Sequence, residues 1–172
     1  MFEKGQYVIY GNNGICHVED IVHMNMAGVD KNRLYYMLIP LQMKESKIYI
    51  PIDNEKVRMR KALSFEEATE LIDGILHIDA VSVKDEKQRE EMYKELMGKG
   101  QPQDWICIIK TLYIRRQERN SQGKKITATD EKYLRMAENN LYSELSFALG
   151  MKKEDMEDYI IDRVNALSKN NA

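Results

Sequence analysis

The sequence predicts an α+β protein in which a small antiparallel sheet is followed by a set of helices. In the first sixty residues, short runs rich in β-branched and aromatic residues alternate with turns that contain Gly and Asn. After residue 60, apolar residues recur at three- and four-residue steps behind sequences that cap helices. A chain of 172 residues with 43% hydrophobic content can bury the core of one domain or of two small ones. The change of pattern favours two domains, residues 1–60 and residues 61–172.

The first domain is predicted to contain four short strands. Between the first two strands, the sequence Gly11-Asn12-Asn13-Gly14 supplies residues that tolerate a positive φ and therefore predicts a hairpin. Proline residues close the third and fourth runs. The predicted strands cover residues 7–10, 15–24, 34–39 and 47–51. So small a sheet leaves an edge whose unpaired backbone groups either need protection or bind another strand.

About five helices are predicted for the second domain. Three of them begin at sequences typical of a capping box: Ser64 with Glu67, Ser82 with Asp85, and Thr127 with Asp130. Another helix is predicted over residues 102–119, because proline is favoured in the first turn of a helix. The last covers residues 153–167, and the polar tail after it is expected to be too polar to become ordered.

The charge of the chain is small overall but unevenly distributed. A formal net charge of -2 argues against a protein whose whole surface binds nucleic acid. Cations concentrate in one segment, where they are opposed only by Glu118: Lys110, Arg115, Arg116, Arg119, Lys124 and Lys125. Lys and Arg near the end of a helix also complement the helix dipole, so these residues alone leave DNA contact open.

No catalytic, metal or cofactor site is predicted. Cys16 and Cys107 fall in different predicted domains and are interpreted as buried thiols. His17, His23 and His77 have no Cys, Asp or Glu partner at a recurring metal spacing. Because no catalytic constellation is found, we expect a protein that is not an enzyme. We find no run of apolar residues long enough to span a bilayer and no signal peptide, so a cytoplasmic protein is expected.

The order of residues in the first domain resembles a known module. Phe2, Gly5, Val8, Ile9, Tyr10 and Gly14 follow the opening of the RNA-polymerase-interacting domain that the CarD family shares with transcription-repair coupling factors. Tyr35-Tyr36, Ile50-Pro51 and the closing Arg60 continue the resemblance, whereas Gln6 and Gly11 replace the usual Asp and Pro. The resemblance implies that the sheet is a small Tudor-like β-barrel.

The second domain resembles the CarD family as well. Residues 108–113, 115–119 and 142–148 are similar to three segments of the helical half of that family. Transcription-repair coupling factors continue instead into helicase domains, and this chain has no Gly-x-x-x-x-Gly-Lys-Ser/Thr loop for phosphate binding. Across nearly its whole length the chain resembles a CarD family transcription regulator.

This resemblance implies a bacterial protein that docks on the RNA polymerase β subunit through the barrel. Its helices would contact promoter DNA without sequence specificity and stabilise the open complex. The positions that match the family's polymerase contacts are Met24 and Tyr49, and docking by strand addition at the predicted fourth strand adds Ile48, Ile50 and Pro51. The cations expected to contact DNA phosphates are Lys87, Arg89, Lys110, Arg115, Arg116, Arg119 and Lys132.

One departure from the family concerns the residue that is thought to wedge at the edge of melted DNA. The family commonly has Trp-x-x-Arg there, and this chain has Glu86 in place of the Trp while keeping Arg89. A carboxylate cannot stack on bases, so weaker stabilisation of open complexes is expected. Trp105 occupies an apolar helical position and is predicted to be a core residue. The alternative is an adaptor that binds polymerase but not DNA.

Overall fold

The computed structural model describes residues 1–171 and divides the chain into two compact units, Met1–Ala62 and Leu63–Ala172. The first unit is a five-stranded antiparallel sheet and the second is helical, so the α+β prediction is confirmed. The strands are β1 (Tyr7–Tyr10), β2 (Ile15–His23), β3 (Leu34–Pro40), β4 (Ile48–Pro51) and β5 (Met59–Lys61). The sequence does not predict β5, because three residues with two cations carry no strand pattern of their own.

The strands lie in the order β4-β3-β2-β1-β5, so β4 and β5 form the two edges of the ladder. The predicted hairpin between β1 and β2 is confirmed, with Val8 opposite Cys16. In β2 the register shifts between Val18 and Asp20, which makes Glu19 an extra residue that bends the strand. A compact apolar core is buried on one side of the sheet: Val8, Tyr10, Cys16, Val18, Tyr36 and Leu38.

The backbone conformation at Gly11 explains why this chain lacks the proline that the family pattern usually has there. Its φ is +45°, a conformation that proline cannot adopt because its ring holds φ near about −65°. A Cβ atom at this position would stand 2.8 Å from Cγ1 of Val57. The turn between β1 and β2 therefore requires glycine here on two counts.

Over its described residues, 63–171, the second unit contains five α-helices. They are α1 (Phe65–Asp73), α2 (Glu86–Lys99), α3 (Pro102–Ser121), α4 (Ala128–Leu149) and α5 (Met156–Asn170). The Ser64 capping box forms in full, with the Ser64 hydroxyl accepting from the Glu67 amide and the Glu67 carboxylate accepting from the Ser64 amide. α3 is the central helix, because most of its first half is buried against the other helices.

Two predicted boundaries are wrong. α2 begins at Glu86 behind the N-cap Asp85 rather than behind Ser82, since the Asp85 carboxylate accepts from the Gln88 amide. The residues before Asp85 stay out of the helix because the Arg89 guanidinium binds the carbonyls of Val83 and Lys84. At the other end of the chain, α5 extends to Asn170, so most of the tail that the sequence predicts to lack order is helical.

The predicted burial of Trp105, Cys16 and Cys107 is confirmed. Trp105 is 3% exposed and packs in the main hydrophobic cluster of the helical unit. Cys16 and Cys107 are buried free thiols, and burial raises the pKa of the Cys16 thiol to about 11. Within residues 1–171, no helix has both the length and the apolar character that crossing a membrane requires.

Candidate functional site

The first candidate surface is the outer edge of β4. The Ile52 amide donates to the Leu34 carbonyl, and hydrogen-bonded pairs alternate along an antiparallel ladder. The amides of Ile50 and Ile48 therefore point inward to β3, whereas the amide and carbonyl of Tyr49 point outward. Pro51 has no amide hydrogen, so Tyr49 supplies the one outward backbone donor within β4 as the structure describes it.

The side chains of β4 alternate in the same way. Ile48 and Ile50 are half-buried against the core of the sheet, and Tyr49 is 38% exposed on the other face. Met24 lies just after the end of β2 and is half-buried. Of the five residues predicted for polymerase binding, Tyr49 thus combines an exposed side chain with an outward backbone donor. Ile48 and Ile50 direct their amides to β3 and pack their side chains against the core of the sheet.

The second candidate surface lies where the start of α2, the second half of α3 and the start of α4 meet. Arg115 of α3 joins these elements, because its Nε donates to the Asp130 carboxylate at 2.5 Å and its Nη2 to the Glu86 carboxylate at 2.7 Å. Arg89 Nη1 donates to the same Glu86 oxygen at 2.9 Å, and the Tyr93 hydroxyl donates to Asp130 at 3.3 Å. We refer to these five residues as the Arg115 network.

Burial differs strongly within the Arg115 network. Asp130 is 2% exposed and the Arg89 residue 7%, whereas 70% of the Glu86 side chain is exposed. The hydrogen bond from Arg115, followed by that from Arg89, holds the pKa of the Glu86 carboxyl below its usual value. Burial, together with the Asp130 charge, raises the pKa of the Tyr93 hydroxyl, which therefore remains a neutral donor.

The seven cations that were expected to contact DNA fall into two groups, those bound within the protein and those at or near its exposed surface. Arg89 and Arg115 belong to the Arg115 network, and Lys110 Nζ donates to the carbonyls of Ile75 and Ile78 at 2.5 and 2.6 Å. These three side chains hold helices and turns together. Four others lie at or near the exposed surface of α2, α3 and α4: Lys87, Arg116, Arg119 and Lys132.

Two of these four outer cations lie over aromatic rings, and a third supports a connection between helices. The Arg116 guanidinium lies 5.6 Å from the ring centre of Tyr113, and Lys132 Nζ lies 5.3 Å from that of Tyr133. Arg119 donates to the Lys125 carbonyl and so supports the connection between α3 and α4. The cation–π contacts of Arg116 and Lys132 are worth about 0.5–1 kcal/mol at exposed sites and leave these two charges available to an anion.

Replacing Arg115 by Ala should lower the free energy of unfolding of the helical unit by about 2 kcal/mol, because Asp130 would keep a buried charge without its main partner. Arg116→Ala, one residue away and facing Tyr113, should cost less than about 1 kcal/mol. Urea unfolding followed by circular dichroism measures both. Equal destabilisation of the two variants would show that the Arg115 network does not stabilise the fold.

Sequence reasoning missed the Arg115 network. The sequence predicts Asp130 only as part of a capping box, and its amide does donate to the Thr127 hydroxyl. Its carboxylate, however, is engaged by Arg115 and Tyr93. Arg115 and Asp130 are fifteen positions apart in the sequence, a separation that no helical or strand periodicity could have signalled.

Comparison with family models supplies the identity that these surfaces leave open. Residues 2–63 match the model described as the CarD-like/TRCF RID domain, and residues 75–161 match that of the CarD C-terminal domain. The chain belongs to the CarD family. The two matches occur in the family's order and leave outside them residue 1, residues 64–74 and the chain after residue 161. No curated protein matches the chain.

Membership of the CarD family fixes two general properties. The RID domain of the family binds RNA polymerase, and in this chain it is the five-stranded sheet that carries the β4 edge. CarD family transcription factors are not enzymes. The Arg115 network lies entirely within the matched C-terminal domain.

Proposed function

We propose that this CarD family protein docks on the β subunit of RNA polymerase through its sheet and contacts promoter DNA through its helices. The result would be a higher affinity for the open than for the closed complex, which shifts that equilibrium without chemistry. The tandem match to the RID and C-terminal domains carries the proposal, because it places a polymerase-binding module and the family's helical module in one chain. Such a protein would act in the bacterial cytoplasm, with residues 1–60 and 61–172 as separate functional domains.

Docking is proposed to occur by strand addition at β4. An edge strand with an outward donor can pair with a strand of the partner, and alternate side chains then provide specificity. Tyr49 offers both an amide and an exposed aromatic side chain at the middle of this edge. Met24 is proposed to add an apolar contact, since neither it nor Tyr49 is a cation.

DNA contact is proposed to be made through phosphates and without sequence specificity. The four outer cations Lys87, Arg116, Arg119 and Lys132 are the main candidates, because they lie at or near the exposed surface and the cation–π contacts of Arg116 and Lys132 are weak enough to be exchanged. The engaged cations Arg89, Lys110 and Arg115 are proposed to contribute through the positive potential they add to this surface.

The structure also offers an observation that favours the adaptor as a second candidate. Four of the seven cations expected to contact DNA donate internal hydrogen bonds, namely Arg89, Lys110, Arg115 and Arg119, and Glu86 places a carboxylate at the start of α2. A protein without DNA contact would retain polymerase docking and use its helices to bind protein. Salt dependence of DNA binding separates these two functions.

Replacing Arg116 and Arg119 by Ala should weaken binding to duplexes of any sequence. The slope of log K against log[salt] is negative, because each neutralised phosphate releases condensed counterions. Its magnitude should decrease by about one unit for each phosphate that is no longer neutralised. Fluorescence anisotropy at several salt concentrations gives both quantities. With purified polymerase, the same variant should shorten the lifetime of the open complex.

The matched control replaces Lys152 and Lys153 by Ala, which removes the same charge just after the end of α4. Lys153 binds Asn139, which lies about two turns of α4 beyond Lys132. This control should bind DNA with the wild-type salt slope. If wild type shows no affinity for DNA at moderate salt, the adaptor is the correct function. Weaker binding to a single promoter sequence only would contradict phosphate readout.

A further inference from the structure

We propose that Arg89 and Arg115 form a binding site for a single phosphate group, and that the carboxylate of Glu86 occupies this site in the free protein. One oxygen of Glu86 accepts from both guanidinium groups, at 2.9 Å from Arg89 Nη1 and 2.7 Å from Arg115 Nη2. Two guanidinium groups that converge on one oxyanion position match the geometry of a phosphate oxygen. The inference deepens the proposed DNA contact, because the DNA backbone is one source of such a group.

The two arginines keep their positions when Glu86 leaves. Arg115 Nε remains bound to the buried carboxylate of Asp130. Arg89 Nη2 remains bound to the carbonyl of Val83 at 2.5 Å and lies 3.4 Å from that of Lys84. A ligand therefore meets donors that are already oriented and does not have to order them.

Glu86 is the weakly held member of this arrangement. Its side chain is 70% exposed, whereas those of Arg89 and Arg115 are 9% and 16% exposed. Ion pairs that involve an exposed carboxylate contribute little, since water and salt screen them. A phosphate group brings a larger negative charge and more acceptor oxygens than a carboxylate, so it can displace Glu86 without unfolding the start of α2.

A cavity of about 300 Å³ adjoins the two arginines. The segment 80–83 forms one wall, held in place by the Val81 amide, which donates to the Thr111 hydroxyl at 2.9 Å. Glu118 lines the same cavity and adds a negative charge. That charge disfavours a chain of several phosphates, so the site is suited to one phosphate group at a time.

The test uses the whole chain and inorganic phosphate as the probe, with the side-chain Nε–Hε signals of arginine followed by NMR. In Glu86→Gln, phosphate should shift the Arg115 signal in a saturable manner, with a dissociation constant roughly three- to tenfold lower than in wild type. Because Glu86 is exposed and Arg115 keeps Asp130, this variant should unfold at nearly the wild-type temperature.

The matched control is Glu95→Gln, which removes an equally exposed carboxylate from the same helix, where it pairs with Lys99 at 3.4 Å. Its affinity for phosphate should equal that of wild type. The proposal is overturned if Glu86→Gln binds phosphate no more tightly than wild type. It is also overturned if Glu95→Gln tightens binding equally, or if the shifts centre on Arg116 and Arg119.

Two competitors then identify the source of the phosphate group. Displacement of phosphate from Glu86→Gln by duplex DNA assigns the site to the nucleic-acid backbone. Displacement by a mononucleotide but not by DNA assigns it to a free phosphorylated compound. In that second case the phosphate site stands while DNA contact at this position fails, so the two proposals are separated.

Discussion

Tyr49→Pro should abolish the capture of RNA polymerase while the sheet remains folded. The substitution removes the one outward backbone donor of β4 that the ladder geometry identifies, and proline is tolerated on the outer side of an edge strand. We expect at least about a tenfold decrease in affinity, because an added strand depends on main-chain hydrogen bonds. Pull-down with purified polymerase measures the decrease, and NMR of the variant shows whether the sheet is intact.

Lys61→Pro is the matched control at the opposite edge of the same sheet. The Ala62 amide donates to the Tyr7 carbonyl, so by alternation the Lys61 amide also points outward, from β5. This variant should capture polymerase as wild type does. Capture that survives Tyr49→Pro but fails in Lys61→Pro would place the docking edge at β5. Ile50→Pro removes an inward donor instead and should weaken the sheet itself.

Trp105→Ala should lower the free energy of unfolding of the helical unit by about 3–5 kcal/mol. The indole is almost fully buried, and truncating so large a side chain leaves a cavity that the surrounding helices cannot fill. Since domains of this size are stable by only about 5–15 kcal/mol, the variant should melt at a much lower temperature. Thermal unfolding followed by circular dichroism at 222 nm measures the change.

Phe65→Ala is the control, because 58% of this aromatic residue is exposed and its truncation should change stability by less than about 0.5 kcal/mol. Trp105→Phe keeps an apolar ring in the core and allows function to be measured in a folded protein. If Trp105→Ala melted like wild type and yet failed to prolong the open complex, the indole would act as a wedge on DNA rather than as a core residue.

Glu86 stands where the resemblance to the family implies a Trp that wedges at the edge of melted DNA. In this chain Glu86 pairs with Arg89 and Arg115, so the start of α2 carries an ion-paired carboxylate at the position where the resemblance to the family implies an indole. If this protein stabilises melted DNA, as we propose, we expect phosphate contacts to supply the stabilisation, and salt screens such contacts more readily than it screens stacking. The phosphate site proposed at the two arginines is one way in which the substitution could be used.

The elements that local pattern controls were predictable from the sequence. The hairpin around Gly11 and Gly14, the capping box of Ser64 and the burial of Trp105 each depend on residues that are close in the chain or on helical periodicity. The order of family motifs likewise identified both domains, since such motifs are read along the chain.

Only the tertiary structure decides which partners the charged residues and the edge-strand amides have. β5 exists because β1 offers it a partner, and Tyr49 rather than Ile48 carries the outward donor because the register with β3 makes it so. The sequence shows Arg115 only as one cation of a basic segment, whereas the structure shows its guanidinium between Glu86 and Asp130. A cation has the same appearance in sequence whether it faces solvent or a buried carboxylate, because its partner is brought to it only when distant helices pack together.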